Sequence, residues 1–146
     1  MRLILTRHGE TVENVEGIIQ GHLPGKLSKL GIEQAKKVAE RLKDEKIDFI
    51  YSSDLARSSD TAKEIMKFHP GIPVKFVKEM RERDIGELSG KRKSDLGIDK
   101  ETSLVTFQPK GGETSKQLYE RAERFLHKTL NEHINDTVLF VGHNGI

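Results

Sequence analysis

The chain has 146 residues, enough for one domain with a substantial core, and 33% of them are charged. Its 25 Lys and Arg nearly balance 23 Asp and Glu, and only 5% of residues are aromatic, so nucleic-acid binding is not expected. Cysteine is absent and no apolar run approaches the about 20 residues of a membrane helix, which excludes disulfides, Cys-ligated zinc and a membrane partner and favours a cytoplasmic location.

Strands and helices are predicted to alternate along the chain. Short apolar runs predict strands over 2–6, 48–53, 72–79 and 138–141. Helical spacing of apolar residues predicts helices over 29–47, over 54–68 and after a capping box formed by Thr114 and Gln117. The same spacing places Leu30 and Leu130 on the buried faces of the first and last of these helices. Residues 80–110 are predicted to be mainly loop with one short helix.

Three of the predicted strands end in residues that bind anions. The first runs into Arg7 and His8, the second leads into a helix with Arg57 in its first turn, and the last leads into His143. The alternation indicates an α/β domain with a largely parallel sheet, in which ligands bind beyond the carboxyl ends of the strands. We therefore expect two arginines and two histidines to meet at one rim.

This set of side chains suits a phosphoryl group. Fixed guanidinium and imidazole groups stabilise the negative charge that spreads over its oxygens during transfer. A neutral imidazole attacks phosphorus when its other nitrogen is held by a hydrogen bond, and a protonated carboxyl group supplies the proton for the leaving oxygen. The segment 79–87 offers candidates for that carboxyl group, and the residues alone do not select among Glu79, Glu82, Asp84 and Glu87.

Six blocks of the sequence, in order, resemble the histidine phosphatase superfamily, the phosphoglycerate mutase-like proteins. They are LTRHGET (5–11), NVEGIIQGHLPGKLSKLGIEQA (14–35), IYSSDLARSSDTA (50–62), MRERDIGELSG (80–90), GGETSKQLYER (111–121) and VGHNGI (141–146). One such block would be a weak signal, whereas six in the right order, along nearly the whole chain, are a strong one.

The resemblance implies a role for each matching residue. His8 would be the nucleophile that becomes phosphohistidine, and Glu82 would be the general acid and later the general base. The phosphoryl oxygens would be bound by Arg7, Arg57 and His143. The pocket would be lined by Asn14, Gln20 and Gly21. The resemblance implies no metal and no cofactor.

The resemblance also implies a fold. We expect a three-layer sandwich with a mostly parallel central sheet flanked by helices, in a single histidine phosphatase domain over 1–146. The usual family domain continues past the second histidine with a helix and at least one more strand, so this domain is C-terminally short. A truncated sequence is the favoured explanation, beside a naturally short form and a chain completed by a partner.

The expected function is that of a phosphomonoester phosphatase acting on a small phosphorylated metabolite. In the family that the sequence resembles, phosphoglycerate mutases carry a long insert around the acid residue. Only a modest stretch separates Glu82 from Gly111 here, so the resemblance favours a phosphatase over a phosphoglycerate mutase-type phosphotransferase. A non-catalytic phospho-ligand binding module is the alternative from another class, and a homo-oligomer stays open. The remaining histidines show no metal-ligand spacing and are predicted to lie at the surface: His22, His69, His127 and His133.

Overall fold

The computed structural model describes residues 1–99, 104 and 107–145, and within them strands and helices alternate as predicted. The strands are β1 (Arg2–Arg7), β2 (Phe49–Ser53), β3 (Val74–Val77) and β4 (Thr137–Gly142). The helices are α1 (Val12–Glu16), α2 (Lys29–Leu42), α3 (Ala56–Met66) and α4 (Ser115–Glu132). Short 3-10 turns cover Lys78–Met80, Gly86–Leu88 and Ser94–Leu96.

The strands form one sheet in the order β1-β4-β2-β3, and every pairing between them in the described part of the chain is parallel. Helices connect the successive parallel strands, as such crossovers require. The carboxyl ends of β1 and β4 are level because Arg7 lies opposite Gly142. One edge of the sheet therefore collects the residues that follow both strands.

Helices cover both faces of the sheet. On one face α2 and α3 pack against β2 and β4 through a cluster that includes Ala39, Ile65 and Leu139. On the other face α4 contributes Phe125, which packs with Phe140. The three-layer α/β architecture with a parallel central sheet is thus confirmed.

Some local predictions were wrong. Leu30 is 55% exposed and Leu130 is 40% exposed, although both were expected in the core. The buried stripe of α2 instead begins at Gly31, and in α4 Thr129 takes the buried position next to Leu130. In both cases the buried stripe is shifted by one residue, which turns the neighbouring side chain by about 100° toward solvent.

Other differences concern the extent of helices. The helix predicted over 29–47 ends at Leu42, and α1 was not predicted. Helix α1 is a single short helix stabilised by a reciprocal capping box between Thr11 and Asn14. Within 80–99 the structure has 3-10 turns in place of the predicted short helix, and the rest of that prediction falls partly on 100–103 and 105–106, outside the described residues.

An apolar groove of about 340 Å³ lies between the edge strand β1 and helix α4. Its walls include Leu3, Leu5, Met80, Phe125 and Phe140. Leu5 is 70% exposed there.

None of the helices in the part of the chain that the structure describes is long and apolar enough to cross a membrane.

Candidate active site

The two histidines that follow β1 and β4 lie side by side. The backbone N–H of His8 donates to the carbonyl oxygen of Gly142 at 3.1 Å, which continues the ladder of the sheet by one residue. The imidazole rings of His8 and His143 meet edge to face, with 5.1 Å between their centroids. The parallel pairing of two strands thus brings together residues that lie far apart in sequence.

A backbone hydrogen bond fixes the tautomer of His8. Its Nδ1 lies 2.7 Å from the carbonyl oxygen of Gly9, and since a carbonyl only accepts, Nδ1 carries the proton. The lone pair of the neutral ring is then on Nε2. Arg57 Nε donates to that nitrogen at 3.3 Å, so Nε2 faces the rest of the site.

The environment keeps His8 neutral. Its side chain is buried, and burial is the largest cause that lowers its pKa from 6.5 to about 4. The hydrogen bond to Gly9 opposes this shift, while the positive charges of Arg57 and Arg7 add to it. At neutral pH Nε2 is therefore unprotonated, and its lone pair, which accepts a long hydrogen bond from Arg57, can act as a nucleophile once a ligand displaces that bond.

Arg57, in the first turn of α3, is held by the loop that precedes α2. Its side chain is 1% exposed. Its Nη1 donates to the carbonyl oxygens of Leu23 and Pro24, at 2.5 and 3.3 Å, and its Nη2 donates to that of Gly21 at 3.0 Å. Burial lowers its pKa to about 10, against the opposing negative charge of Glu82, so the guanidinium remains charged at neutral pH.

His143 and Gln20 have buried polar atoms without a partner in the described part of the chain. Both ring nitrogens of His143 and Oε1 of Gln20 are in this position. Burial, followed by the charge of Arg57, lowers the pKa of His143 to about 2. Buried polar atoms are normally hydrogen-bonded, so these atoms are available to a ligand.

Glu82 lies on the irregular segment between two 3-10 turns, opposite the residues that follow β4. Its Oε1 accepts from the backbone N–H of Arg83 at 2.9 Å, and its Oε2 accepts from that of Gly145 at 3.4 Å. Its carbonyl oxygen accepts from Nε2 of His22 at 2.8 Å. The carboxyl group thus adjoins the segment that carries His143.

The remaining predicted site residues are Arg7, Asn14 and Gly21. Arg7 is exposed at the end of β1 and acts on both histidines through its charge. The carbonyl oxygen of the Asn14 side chain accepts from Thr11 N–H at 3.0 Å, so that oxygen is engaged in the cap of α1. Gly21 is a buried residue with φ of 50°, and its carbonyl oxygen is a partner of Arg57.

One supporting residue was not identified from the sequence. Thr61 Oγ1 accepts from the backbone N–H of Gly9 at 3.2 Å and donates to the carbonyl oxygen of Arg57 at 2.9 Å. It thereby joins the segment after β1 to helix α3. The sequence pointed to Thr61 only through its position in the IYSSDLARSSDTA block, and the spacing of that block does not show which atoms a buried hydroxyl group contacts.

The prediction that four histidines lie at the surface was wrong for three of them. His22 is half-buried beside Glu82, and His69 and His133 are buried. Each imidazole has a partner that satisfies it, for example the Leu42 carbonyl oxygen at 3.0 Å for His69. His127 is exposed as predicted. Among the residues with described positions, no group of three or more His, Asp or Glu is arranged to hold a metal ion.

Two neutral imidazoles, a buried guanidinium and a carboxyl group thus lie at the carboxyl edge of a parallel sheet, and groups of these types are suited to binding phosphoryl anions. Residues 3–146 match the family model of the histidine phosphatase superfamily (branch 1). The chain therefore belongs to this superfamily.

Known relatives include both phosphatases and mutase-like proteins. The chain is 36% identical to a metal-independent phosphoserine phosphatase and 34% identical to phosphoglycerate mutase-like protein 4, both of Arabidopsis thaliana, over 99% of its own length. It covers 64% and 66% of these proteins, so it spans about two thirds of their length. A mycobacterial glucosyl-3-phosphoglycerate phosphatase, solved in complex with VO3, superposes with a TM-score of 0.86 at 30% identity, over 99% of this chain and 76% of that one.

Proposed function

We propose that this protein hydrolyses phosphomonoesters through a phosphohistidine formed on Nε2 of His8. The observation that carries the proposal is the 2.7 Å hydrogen bond from Nδ1 of His8 to the carbonyl oxygen of Gly9. It leaves the lone pair on Nε2, the ring nitrogen beside Arg57. The lowered pKa of His8 keeps Nε2 unprotonated at neutral pH.

The groups around Nε2 suit the phosphoryl oxygens. Arg57 is charged and buried, so its attraction for an anion is weakly screened by water. His143 has ring nitrogens without a partner in the described structure, and one of them carries a proton that a phosphoryl oxygen can accept. Arg7 adds positive charge from the exposed side. Oε1 of Gln20, which is buried without a partner in the described structure, is a further candidate contact for the ligand.

The reaction is a double displacement. His8 Nε2 forms a bond to phosphorus while the bond from phosphorus to the ester oxygen breaks, and the carboxyl group of Glu82 gives its proton to that oxygen. The resulting carboxylate then takes a proton from water, whose oxygen bonds to phosphorus as the phosphorus–nitrogen bond breaks. Phosphate leaves, and His8 and Glu82 return to their starting states.

The proposed substrates are small phosphorylated metabolites. The similarity to a metal-independent phosphoserine phosphatase supports hydrolysis. The relative solved in complex with VO3, an anion that resembles a phosphoryl group during its transfer, supports the phosphoryl site. The rival activity is transfer of the phosphoryl group to a second alcohol, as in a mutase. Release of inorganic phosphate in water, without an added bisphosphate primer, distinguishes hydrolysis from that transfer.

Rapid-quench labelling tests the proposal. The protein is mixed with phenyl phosphate and quenched under alkaline conditions, and intact and peptide mass spectrometry locate any acid-labile phosphate. We expect a transient adduct on the peptide that contains His8, absent in His8→Ala and retained in His127→Ala, which removes an exposed histidine instead. Vanadate binding without an adduct or phosphate release would contradict the proposal and indicate a non-catalytic phospho-ligand binding module.

A further inference from the structure

Glu82 lies on a segment that regular secondary structure does not hold in place. The residues from Arg81 to Ile85 lie between two 3-10 turns, outside the helices and strands. The position of the Glu82 backbone therefore depends on side chains that reach it from other elements. Arg121, on the second turn of α4, is one such side chain.

The Arg121 guanidinium caps several carbonyl groups of this segment. Its Nη1 donates to the carbonyl oxygens of Glu79 and Arg81, at 2.5 and 2.9 Å. Its Nη2 lies 3.5 Å from the carbonyl oxygen of Glu82, at the outer limit of a hydrogen bond. One planar side chain thus holds the backbone that leads into Glu82 and reaches the carbonyl group of Glu82 itself.

Arg121 is in turn oriented by Glu113. Its Nε and Nη2 donate to the two carboxylate oxygens of Glu113 at 2.9 and 2.7 Å, and the two side chains are only 17% and 15% exposed. Although burial by itself raises the pKa of Glu113, the hydrogen bonds and charge of Arg121 outweigh it and the pKa is lowered. A bidentate pair of this kind fixes the plane of the guanidinium.

Glu113 also joins the same segment through its backbone. Its N–H donates to the carbonyl oxygen of Asp84 at 2.8 Å, and its carbonyl oxygen accepts from Nε of Arg83 at 2.7 Å. Residues on both sides of Glu82 are therefore attached to the start of α4. The helix, with its capped first turn, supplies the rigid support.

We propose that Arg121, oriented by Glu113, is a positioning residue that sets where the Glu82 carboxyl group lies relative to the leaving oxygen. The inference rests on the proposed function, because it takes Glu82 as the general acid. Arg121 contacts the backbone of the segment and does not take part in the bond changes. Its removal should therefore harm the proton transfer more than the attack by His8.

Leaving groups of different basicity separate these two effects. The oxygen released from dinitrophenyl phosphate is a weak base that leaves without a proton, whereas the oxygen released from butyl phosphate requires one. The measured quantity is kcat/KM, because it reports the attack by His8 and the release of the leaving oxygen and leaves out the later attack of water, in which Glu82 is the base. In Arg121→Ala we expect kcat/KM to fall by about 100-fold on butyl phosphate and by less than about 3-fold on dinitrophenyl phosphate. Arg121→Lys, which keeps the charge and is less disruptive to the fold, should show the same dependence in weaker form. The matched control is Arg124→Ala, an exposed arginine on the same helix, which should leave both rates unchanged.

Equal losses on the two substrates in both Arg121 variants would overturn the positioning role. Glu82→Gln, measured on the same pair, separates this failure from that of the proposed function: if it also lacks the leaving-group dependence, Glu82 is not the general acid. The amide NMR signal of Gly145 gives a readout that does not need turnover, because this N–H donates to the Glu82 carboxylate. We expect it to shift in Arg121→Ala and not in Arg124→Ala, and an unchanged signal would also overturn the proposal.

Discussion

At the scale of single residues, burial decides the charge state of the two site histidines. His8 and His143 lie beside two arginines, and both burial and positive charge disfavour a second positive group. Their pKa values fall to about 4 and about 2, so both are neutral where an ordinary histidine would begin to take up a proton. The same shifts that leave both rings unprotonated at neutral pH make the folded state sensitive to acid.

The pH dependence of stability should therefore have a definite sign. Below pH about 6.5 the unfolded chain protonates both histidines while the folded chain does not, so the free energy of unfolding falls as the pH is lowered. The slope reaches about 1.4 kcal/mol per pH unit for each histidine, and the loss for His8 runs to about pH 4. In His143→Asn we expect the slope of the free energy of unfolding against pH to be smaller by the contribution of one proton, about 1.4 kcal/mol per pH unit. Urea midpoints measured between pH 7.5 and 4.5 test this.

His127→Asn is the control for this measurement, because that side chain is exposed. It should follow the wild-type curve. Parallel curves for the wild type and His143→Asn would mean that His143 gains its proton in the folded state as readily as in the unfolded chain. Added phosphate should be avoided, since a ligand bound only by the folded state raises its stability.

At the scale of elements, the start of α4 supports both the helix and the segment around Glu82. Thr114 Oγ1 accepts from Gln117 N–H at 3.1 Å, and Gln117 Oε1 accepts from Thr114 N–H at 2.8 Å. Two N–H groups that the helix cannot satisfy by itself are paired in this way. The capping box, predicted from the sequence, is confirmed by these two bonds.

We expect Thr114→Ala to lower the free energy of unfolding by about 1 kcal/mol, as for other caps of this kind. The substitution removes the acceptor for Gln117 N–H and leaves the core untouched. Lys116→Ala changes an exposed residue in the same turn and should alter the free energy by less than about 0.5 kcal/mol. Equal urea midpoints for the two variants would show that water replaces the Thr114 hydroxyl at no cost.

Elements and strand ends could be predicted because their signals are local. The apolar run before His8 and the cap at Thr114 are each readable within a few residues. The contacts that complete the site are not local. Arg57 is held by carbonyl groups that any residue could supply, and Arg121 reaches backbone atoms about 40 residues away in sequence, at Glu79 to Glu82. The prediction that Leu30 is buried was wrong because a buried stripe shifted by one position along the helix fits the apolar spacing almost as well.

At the scale of the whole molecule, the sheet has an apolar groove on one face beside its edge strand. Leu5 on β1 is 70% exposed and belongs to the groove wall. Exposed apolar surface next to an edge strand favours self-association. Leu5 should therefore contribute more to association than to the stability of the fold.

We expect Leu5→Lys to reduce binding of a hydrophobic dye and light scattering at high protein concentration. The free energy of unfolding should change by no more than about 0.5 kcal/mol, because the side chain is already mostly in water. Ile134→Lys is the matched control: Ile134 is 68% exposed but is not part of the groove wall. Equal dye binding by the wild type and Leu5→Lys would contradict this role for Leu5.

The pairing of β1 with β4 has a consequence for the order of folding. Arg2 lies opposite Thr137 and Arg7 opposite Gly142, so the strand made first takes its place in the sheet beside the strand made last among the four. Pairings this distant in sequence form slowly, since a long loop must close before any contact stabilises it. On the ribosome, His8 would be synthesised early yet remain unplaced until residues 137–142 emerge, so the candidate site would be assembled in one late step.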